Sequence, residues 1–406
     1  MITDINLRKF INTHVTGRQE SLLQADLKKY SHELEHRING KSVLVIGGAG
    51  SIGSAYIKAM LKFKLAKLVV VDIDENGLTE LVRDLRSSCE YQIPEVFVTY
   101  PVNFGDKVFE KLFFHHGPFQ IVANFAAHKH VRSEKDIFSI EAMINNNVIQ
   151  AKALMDLLLK SPPEHFFCVS TDKAANPVNI MGASKKLMEE LIMAYAGQLN
   201  IKTARFANVA FSNGSLPLGF IERMRKQQPL ACPLGIRRFF VSQQESGELC
   251  LVASIMGESG DIFFPKLEED RDMIPFEHIV IDFLKYVGLE ADPCESEDEA
   301  RQKALYLNGN SNSYPVYFFN SDTSGEKPYE EFYTMDENPD MDTFVELGVI
   351  KNISSRSVEE IDEIIHKIQV LFESQKVSKM AIVDILKSNL PEFEHIETEK
   401  GLDSKM

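Results

Sequence analysis

Four consecutive residues, Ser170-Thr171-Asp172-Lys173, put a hydroxyl, a carboxyl and an amine side by side. An acid beside a base is what an elimination requires, since one group takes a proton and the other gives one. Each also shifts the other's pKa. Ten residues after Thr171 stands Met181, and Lys185 follows four residues later. On a helix that spacing puts both side chains on one face. Upstream, Ala126 and Ala127 are small, and the polar Lys129 and His130 follow them in NFAAHKHVR. The HKH triplet has one-residue spacing and no cysteine or carboxylate pattern around it, so no metal site is expected.

A second constellation lies near residue 50. Gly47, Gly50 and Gly53 form GxxGxxG within IGGAGSIG, directly after the apolar run Leu44-Val45-Ile46. Between a strand and a helix, such a loop turns tightly and lets its backbone approach a pyrophosphate at the helix N-terminus. Ser51 and Ile52 complete the loop as expected cofactor contacts. Asp72 ends the next apolar run, where an acid accepts hydrogen bonds from the adenosine ribose hydroxyls and repels a 2′-phosphate. Asp74 and Glu75 follow and no arginine is near, so NAD is favoured over NADP. Asn103 and Phe104 fall where the adenine is expected. Ala126 and Ala127 fall where the nicotinamide half is expected to pass.

These residues sit at the ends of a regular alternation. Short apolar runs at 42–46, 67–72, 95–100, 120–125, 165–170 and 202–206 alternate with amphipathic stretches such as 51–63 and 182–196. Continuous apolar strands between helices predict a parallel sheet covered on both faces, and right-handed crossovers then give a doubly wound fold. The expected class is α/β: a Rossmann-like doubly wound parallel sheet, a smaller α/β substrate-binding lobe, and helical N- and C-terminal extensions. The expected division is a helical arm over 1–40, an NAD-binding domain with the catalytic residues over 41–207, a substrate lobe over 208–289, and an acidic, mostly helical region over 290–406 that completes the substrate lobe or the oligomer surface. In the arm, Leu23, Leu27, Tyr30 and Leu34 recur at helix spacing. Ser357 and Glu360 predict a capping box, and a last helix is expected over 378–390, ending at Pro391.

The chain of 406 residues has a formal net charge of −15, and that excess is unevenly spread. Residues 1–289 hold 33 acidic and 33 basic side chains; residues 290–406 hold 26 and 11. A balanced body with an acidic end offers no concentrated basic face, which argues against nucleic acid and against an anionic membrane surface. No apolar run approaches the roughly 20 residues of a membrane span, and the N-terminal residues lack the apolar core of a signal peptide. The five cysteines are scattered and form no CxxC, as expected of reduced thiols in a cytoplasmic protein.

GGAGSIG, AAHKHV, STDKAANPVN, MGASKK, RFANV and NGS occur in this order. Together they resemble the extended short-chain dehydrogenase/reductases that act as nucleotide-sugar 4,6-dehydratases. The nearest resemblance is to the bacterial polysaccharide-biosynthesis UDP-N-acetylglucosamine 4,6-dehydratases, in a soluble, longer form. It covers about residues 41–281. The family's Tyr-x-x-x-Lys pair stands here as Met181 and Lys185, and Met-type members retain the C5 configuration. Ile46 stands for a usual threonine, Ala207 for the glycine of RFGNV, and Phe211 for the glycine of a following GS pair.

The resemblance implies that NAD takes hydride from C4 of the hexose and later returns it to C6. Thr171 would bind the C4 oxygen, Lys173 in its neutral form would remove the C5 proton, and Asp172 would protonate the departing C6 hydroxyl. Met181 is placed at the catalytic helix, and Lys185 is expected at the nicotinamide ribose. Substrate contacts are expected from Lys129, His130, Asn208, Ser215 and Arg238, the last through phosphate. Asn147 matches an asparagine that orders the catalytic region, and Lys266 follows a strand exit, where a structural role is expected ahead of substrate contact. The implied partner is a UDP-linked amino sugar. Pairing through helices spanning about 141–159 and 182–196 implies a homodimer or higher homo-oligomer. A nucleotide-sugar 4-epimerase and a non-catalytic NAD-binding scaffold are the competing readings.

Overall fold

The computed structural model describes residues 5–308, 311–320, 327, 329–351, 356–374 and 377–397. Six parallel strands are β1 (Ser42–Ile46), β2 (Lys67–Asp72), β3 (Val96–Pro101), β4 (Ile121–Asn124), β5 (His165–Val169) and β6 (Ile201–Ala204). They lie in the order β3-β2-β1-β4-β5-β6, and the parallel strand Asp261–Pro265 follows β6. This is a Rossmann-like doubly wound sheet, with its order reversing between β1 and β4, where such sheets bind ligands. Alternate residues of β1 explain why both faces are covered. Leu44 and Ile46 enter one hydrophobic cluster, while Val43 and Val45 enter another on the opposite face.

The acidic C-terminal region is woven into this frame. Leu347–Ile350 adds antiparallel to Asp261–Pro265, and Pro339–Asp340 adds antiparallel to it, giving nine strands among the described residues. Glu290–Cys294 and Ser313–Asn320 pair in parallel, and the second of these pairs with Leu230–Leu234. A sheet thus crosses the expected boundary at 289, and the region carries strands as well as helices. Ser357 and Glu360 do form a capping box for the helix Val358–Phe372, and Ser378 caps Lys379–Asn389.

Those two helices lie against Ile180–Ala194. Ile361, Ile364, Ile368, Ile382 and Leu386 share its hydrophobic cluster, and Arg356–Glu190 (2.7 Å) and Lys152–Asp362 (3.1 Å) clamp the edges. The helices that the resemblance assigns to a partner subunit are therefore partly covered by the chain's own C-terminal helices.

The N-terminal arm packs on the body. Leu23 and Leu34 are buried, and Arg18 forks onto Glu245 at 2.8 and 3.0 Å. Asp26 accepts the Val345 and Glu346 amides at 2.7 and 2.8 Å, which ties the arm to the acidic region. Phe10 of the arm meets Phe211 edge-on. Phe211 has φ +53°, so it keeps the left-handed backbone that suits glycine, and its buried ring offsets that strain.

Candidate functional site

The glycine loop is built around close backbone approach. Gly47 has φ +77°, and a Cβ there would lie 2.5 Å from the Ala126 amide nitrogen. A Cβ on Gly53 would lie 2.2 Å from the Gly47 carbonyl oxygen. Gly50 is different: a Cβ there meets only the Gly47 oxygen, at 3.5 Å. The protein itself leaves that side open. Gly50 starts the helix Ser51–Met60, which has no side-chain cap. Asp72 accepts the Ala49 amide on one oxygen (2.9 Å) and the Asp74 amide on the other (3.0 Å), so β2 braces the loop. Ser51 Oγ accepts the Asn213 amide at 2.9 Å, and Ile52 packs between the two cores. An open glycine edge, an uncapped helix start and a strand-end carboxylate fit a dinucleotide. Asn103 accepts the Gly105 amide, while the Phe104 ring is buried in the core.

The β4 exit lies beside this loop. Asn124 accepts the Ala126 amide at 3.0 Å, and Ala126 and Ala127 are half-buried next to Gly47. Asn147 accepts the His128 amide (2.9 Å) and donates to the His128 carbonyl (3.0 Å) and to Ser184 (3.1 Å). One buried side chain thus fixes the backbone that presents Lys129 and His130, both exposed. The His130 ring lies against Gly214, where an added Cβ would come within 2.8 Å, so this loop touches the second lobe.

Beyond β5 the expected trio is assembled. Thr171 Oγ1 donates to Asp172 Oδ1 at 2.9 Å, and Lys173 Nζ lies 3.1 Å from the same oxygen. Asp172 is 4 % exposed. A third ion joins from the acidic region: Glu330 Oε1 lies 3.6 Å from Lys173 Nζ and 3.9 Å from Arg238 Nη2. Burial penalises the Lys173 ammonium, but Asp172 and Glu330 outweigh that and hold the amine above its ordinary value. The protonated amine is therefore the favoured form here, whereas the role that the resemblance implies uses the neutral one. Burial also raises the Glu330 carboxyl, with Lys173 opposing and Asp172 adding to the shift.

Met181 and Lys185 share one helical turn as expected, but both are buried. Met181 lies in the hydrophobic cluster, and its amide is held by Glu134 at 2.9 Å. Lys185 Nζ donates to the Val169 carbonyl at 2.6 Å, and desolvation lowers its pKa. Of the expected substrate contacts, Asn208 is half-buried on a short strand, and Ser215 caps the helix Leu216–Arg225. Arg238 is buried, donating to the Arg237 carbonyl and facing Glu330. Lys266 does not reach this cluster: it donates to the carbonyls of Met341, Phe344 and Val345.

Sequence reasoning missed the residues that close the site. Arg205, fully buried, forks onto Glu189 (3.0 and 2.9 Å) and onto Glu337 (2.7 and 2.8 Å), and donates to the Phe332 carbonyl. Glu189 also accepts Ser170 Oγ at 2.6 Å. On the other side, Asn176 donates to Glu331 at 2.8 Å, and Lys327 donates to the Asn176 carbonyl. Residues 329–337 are thereby strapped across the sheet's carboxyl edge with Glu330 held inward. The available signal was Arg205 itself, a charge inside an apolar strand run, which demands a buried counter-charge.

The family model for polysaccharide biosynthesis proteins matches residues 43–351. An uncharacterized membrane protein of Methanocaldococcus jannaschii is 29 % identical over 78 % of this chain and 90 % of its own length. A UDP-N-acetylglucosamine 4,6-dehydratase (inverting) of Campylobacter jejuni is 30 % identical over 56 % of this chain and 68 % of its own. A UDP-glucose 4-epimerase of Rickettsia typhi is also 30 % identical, over 56 % of this chain and 66 % of its own. The chain spans 47 % and 42 % of two longer polysaccharide-biosynthesis relatives. Among solved structures, Pen from Bacillus thuringiensis superposes with TM-score 0.60 at 20 % identity, covering 82 % of this chain and 99 % of Pen. A dTDP-glucose 4,6-dehydratase from Streptomyces venezuelae, solved with NAD, superposes with TM-score 0.53 at 16 % identity, covering 72 % of this chain and 90 % of its own. Among the described residues no helix is long and apolar enough to cross a membrane, and no group of three or more potential metal-ligating side chains occurs.

Proposed function

We infer, for a chain that belongs to the family of polysaccharide biosynthesis proteins, an NAD-dependent nucleotide-sugar 4,6-dehydratase. Its substrate on this reading is UDP-N-acetylglucosamine, and its product is UDP-2-acetamido-4-keto-2,6-dideoxyhexose. The observation that carries the reading is the buried acid–base cluster of Asp172, Lys173 and Glu330 beside Thr171, at the same carboxyl edge of the sheet as the glycine loop. Redox chemistry at C4 alone needs no such cluster; removing water across C5 and C6 does. Gly47, Gly50, Gly53, Ser51, Ile52 and Asp72 would hold NAD, with Asn103, Ala126 and Ala127 alongside. Bound there, NAD supplies the hydride acceptor and donor that make the cycle redox-neutral.

The chain's own groups do the rest. Thr171 orients the C4 oxygen. The C4 ketone acidifies C5–H, and its proton passes to the Asp172–Lys173–Glu330 cluster. Asp172 takes the C4 hydroxyl proton as hydride leaves C4 and returns it to the departing C6 hydroxyl, which leaves as water. Lys129 and His130 line the rim toward the second lobe, where Asn208, Ser215 and Arg238 receive the nucleotide diphosphate. Met181 carries no proton, which fits a C5-retaining member. Lys185 supports the nicotinamide end from beneath, through Val169. A cytoplasmic homo-oligomer remains part of the reading, with pairing on surface that the C-terminal helices leave open, such as the exposed Phe138.

A 4-epimerase is the second reading, favoured by the Rickettsia relative and opposed by Met181, which supplies no proton-transferring phenol at that position. Incubating the purified chain with UDP-N-acetylglucosamine and weighing the product separates the two. Dehydration removes one water, and epimerisation leaves the mass unchanged.

A further inference from the structure

After the helix Lys379–Asn389 the chain turns at Pro391 and runs over the loop that joins Lys173 to Met181. Its side chains alternate with a period of two: Phe393 and His395 face inward, while Glu394 and Ile396 are exposed. The Glu394 amide donates to the Pro177 carbonyl at 3.1 Å, and the Ile396 amide to the Val178 carbonyl at 3.0 Å. Phe393 enters the core shared by the helix Ile180–Ala194, and Glu392 pairs with Lys186 of that helix at 3.2 Å.

The loop beneath this segment sets where the reacting groups stand. Asn179 caps the helix through the Gly182 amide at 2.7 Å. A Cβ on Gly182 would lie 2.5 Å from the Lys173 carbonyl oxygen, so the helix start rests on the Lys173 backbone. Glu134 accepts the Met181 amide at 2.9 Å from the turn Val131–Glu134, which follows Lys129 and His130. His395 covers this joint. Its buried Nε2 has no hydrogen-bond partner among the described residues and lies 3.9 Å from Glu134 Oε2. Excluding water from the Glu134–Met181 bond strengthens it. The 329–337 strap holds the same loop at Asn176.

We propose that residues 392–397 form a clasp that positions the catalytic loop, joining residues 174–181 and the 131–134 turn into one unit, with His395 as the positioning residue at Glu134. The clasp lies beyond residues 43–351, the part that matches the family model, so the site depends on a segment outside the shared family unit. The inference rests on the dehydratase reading for its turnover and deepens it. No group of the clasp reaches substrate. It acts through the backbone of Lys173 and the helix of Met181 and Lys185. Misplacing a reacting group by about 1 Å can cost roughly a hundredfold in rate, so two hydrogen bonds on this loop are enough to matter.

The test uses the full chain with bound NAD, comparing wild type, E394P/I396P, H395A and H395Q. Proline removes both amide donors at positions whose side chains face solvent. Each protein is read for melting temperature, NAD affinity, amide hydrogen exchange over 172–182, and kcat and KM for water loss from UDP-N-acetylglucosamine. E394P/I396P should exchange at least tenfold faster over 172–182 and lose at least tenfold in kcat. Its KM and NAD affinity should stay within threefold of wild type, and its melting temperature close to it. H395A should speed exchange of the Met181 amide, and H395Q, which still fills the space over Glu134, should restore most of the protection. Exchange and kcat within twofold of wild type in E394P/I396P overturn the clasp, and an H395A Met181 amide that exchanges like wild type overturns the role of His395. A parallel loss of melting temperature, NAD affinity and protection throughout the chain also overturns the proposal, since the segment would then be framework alone. A wild-type chain that releases no water from the sugar refutes the dehydratase reading, while exchange over 172–182, which needs no substrate, still decides the clasp.

Discussion

Replacing Arg205 by methionine tests whether the acidic region is structurally joined to the site. Arg205 is fully buried and satisfies four carboxylate oxygens, two on Glu189 and two on Glu337, besides the Phe332 carbonyl. Methionine keeps most of the volume and removes every donor, so two carboxylates are left facing each other without a cation. Breaking one partner out of a buried ion network costs about 3–5 kcal/mol. A urea midpoint measured at pH 8 should fall accordingly. Burial pushes the Glu337 carboxyl up, but Arg205 outweighs that and holds it below its ordinary value in the native chain. That contribution is present above the unfolded pKa and is lost as pH falls through the native one. In R205M the sign reverses, because unpaired burial raises the carboxyl and acidification relieves part of the loss. The triple variant R205M/E189Q/E337Q, with no charge left to strand, should recover most of the midpoint. A loss under about 1 kcal/mol for R205M at pH 8, with no relief at pH 5, would refute the reasoning.

Further outcomes follow from the glycine loop and from Glu134. Gly50→Ala should melt like wild type, since its Cβ meets nothing closer than 3.5 Å, yet lose NAD affinity at least tenfold by titration; Gly53→Ala should lose both, because its Cβ falls 2.2 Å from a backbone oxygen. Burial raises the Glu134 carboxyl to about 7, against the Met181 and Ile180 amides that lower it. An acid raised on folding favours the native state at low pH and loses that advantage as pH climbs from the unfolded value to about 7. At about 1.4 kcal/mol per pKa unit, this carboxyl alone costs roughly 3 kcal/mol between pH 4 and 8. E134Q should flatten that part of the stability profile in paired urea titrations.

The inner parallel strands were legible because each is a continuous apolar run buried on both faces, and β1 and β2 begin and end where the runs do. The glycine loop, Asp72 and the Thr171–Lys173 segment were legible because local spacing places them at strand ends. The strap was not. Glu330 and Glu337 come from a region whose excess of carboxylates hides any single one, and their partners Lys173, Arg205 and Arg238 lie in distant parts of the chain. Nothing at Lys173 announces that a second carboxylate will hold its proton. Lys266 shows what a strand exit leaves open: its side chain clamps a loop through backbone carbonyls, a contact that no local spacing indicates. Phe211 is a third kind of case: the residue departs from glycine while the backbone keeps the glycine-like turn, because the arm's Phe10 packs on the ring.

The central claim is that this cluster removes water from a nucleotide sugar without net redox change. The most direct measurement is a single incubation of the purified chain with UDP-N-acetylglucosamine in deuterium oxide, with no added reductant, read by mass and proton NMR. The account predicts a 4-keto-6-deoxy product that has lost one water and carries deuterium at C5. A product of unchanged mass inverted at C4, or unreacted sugar beside an NAD-loaded chain, would contradict it.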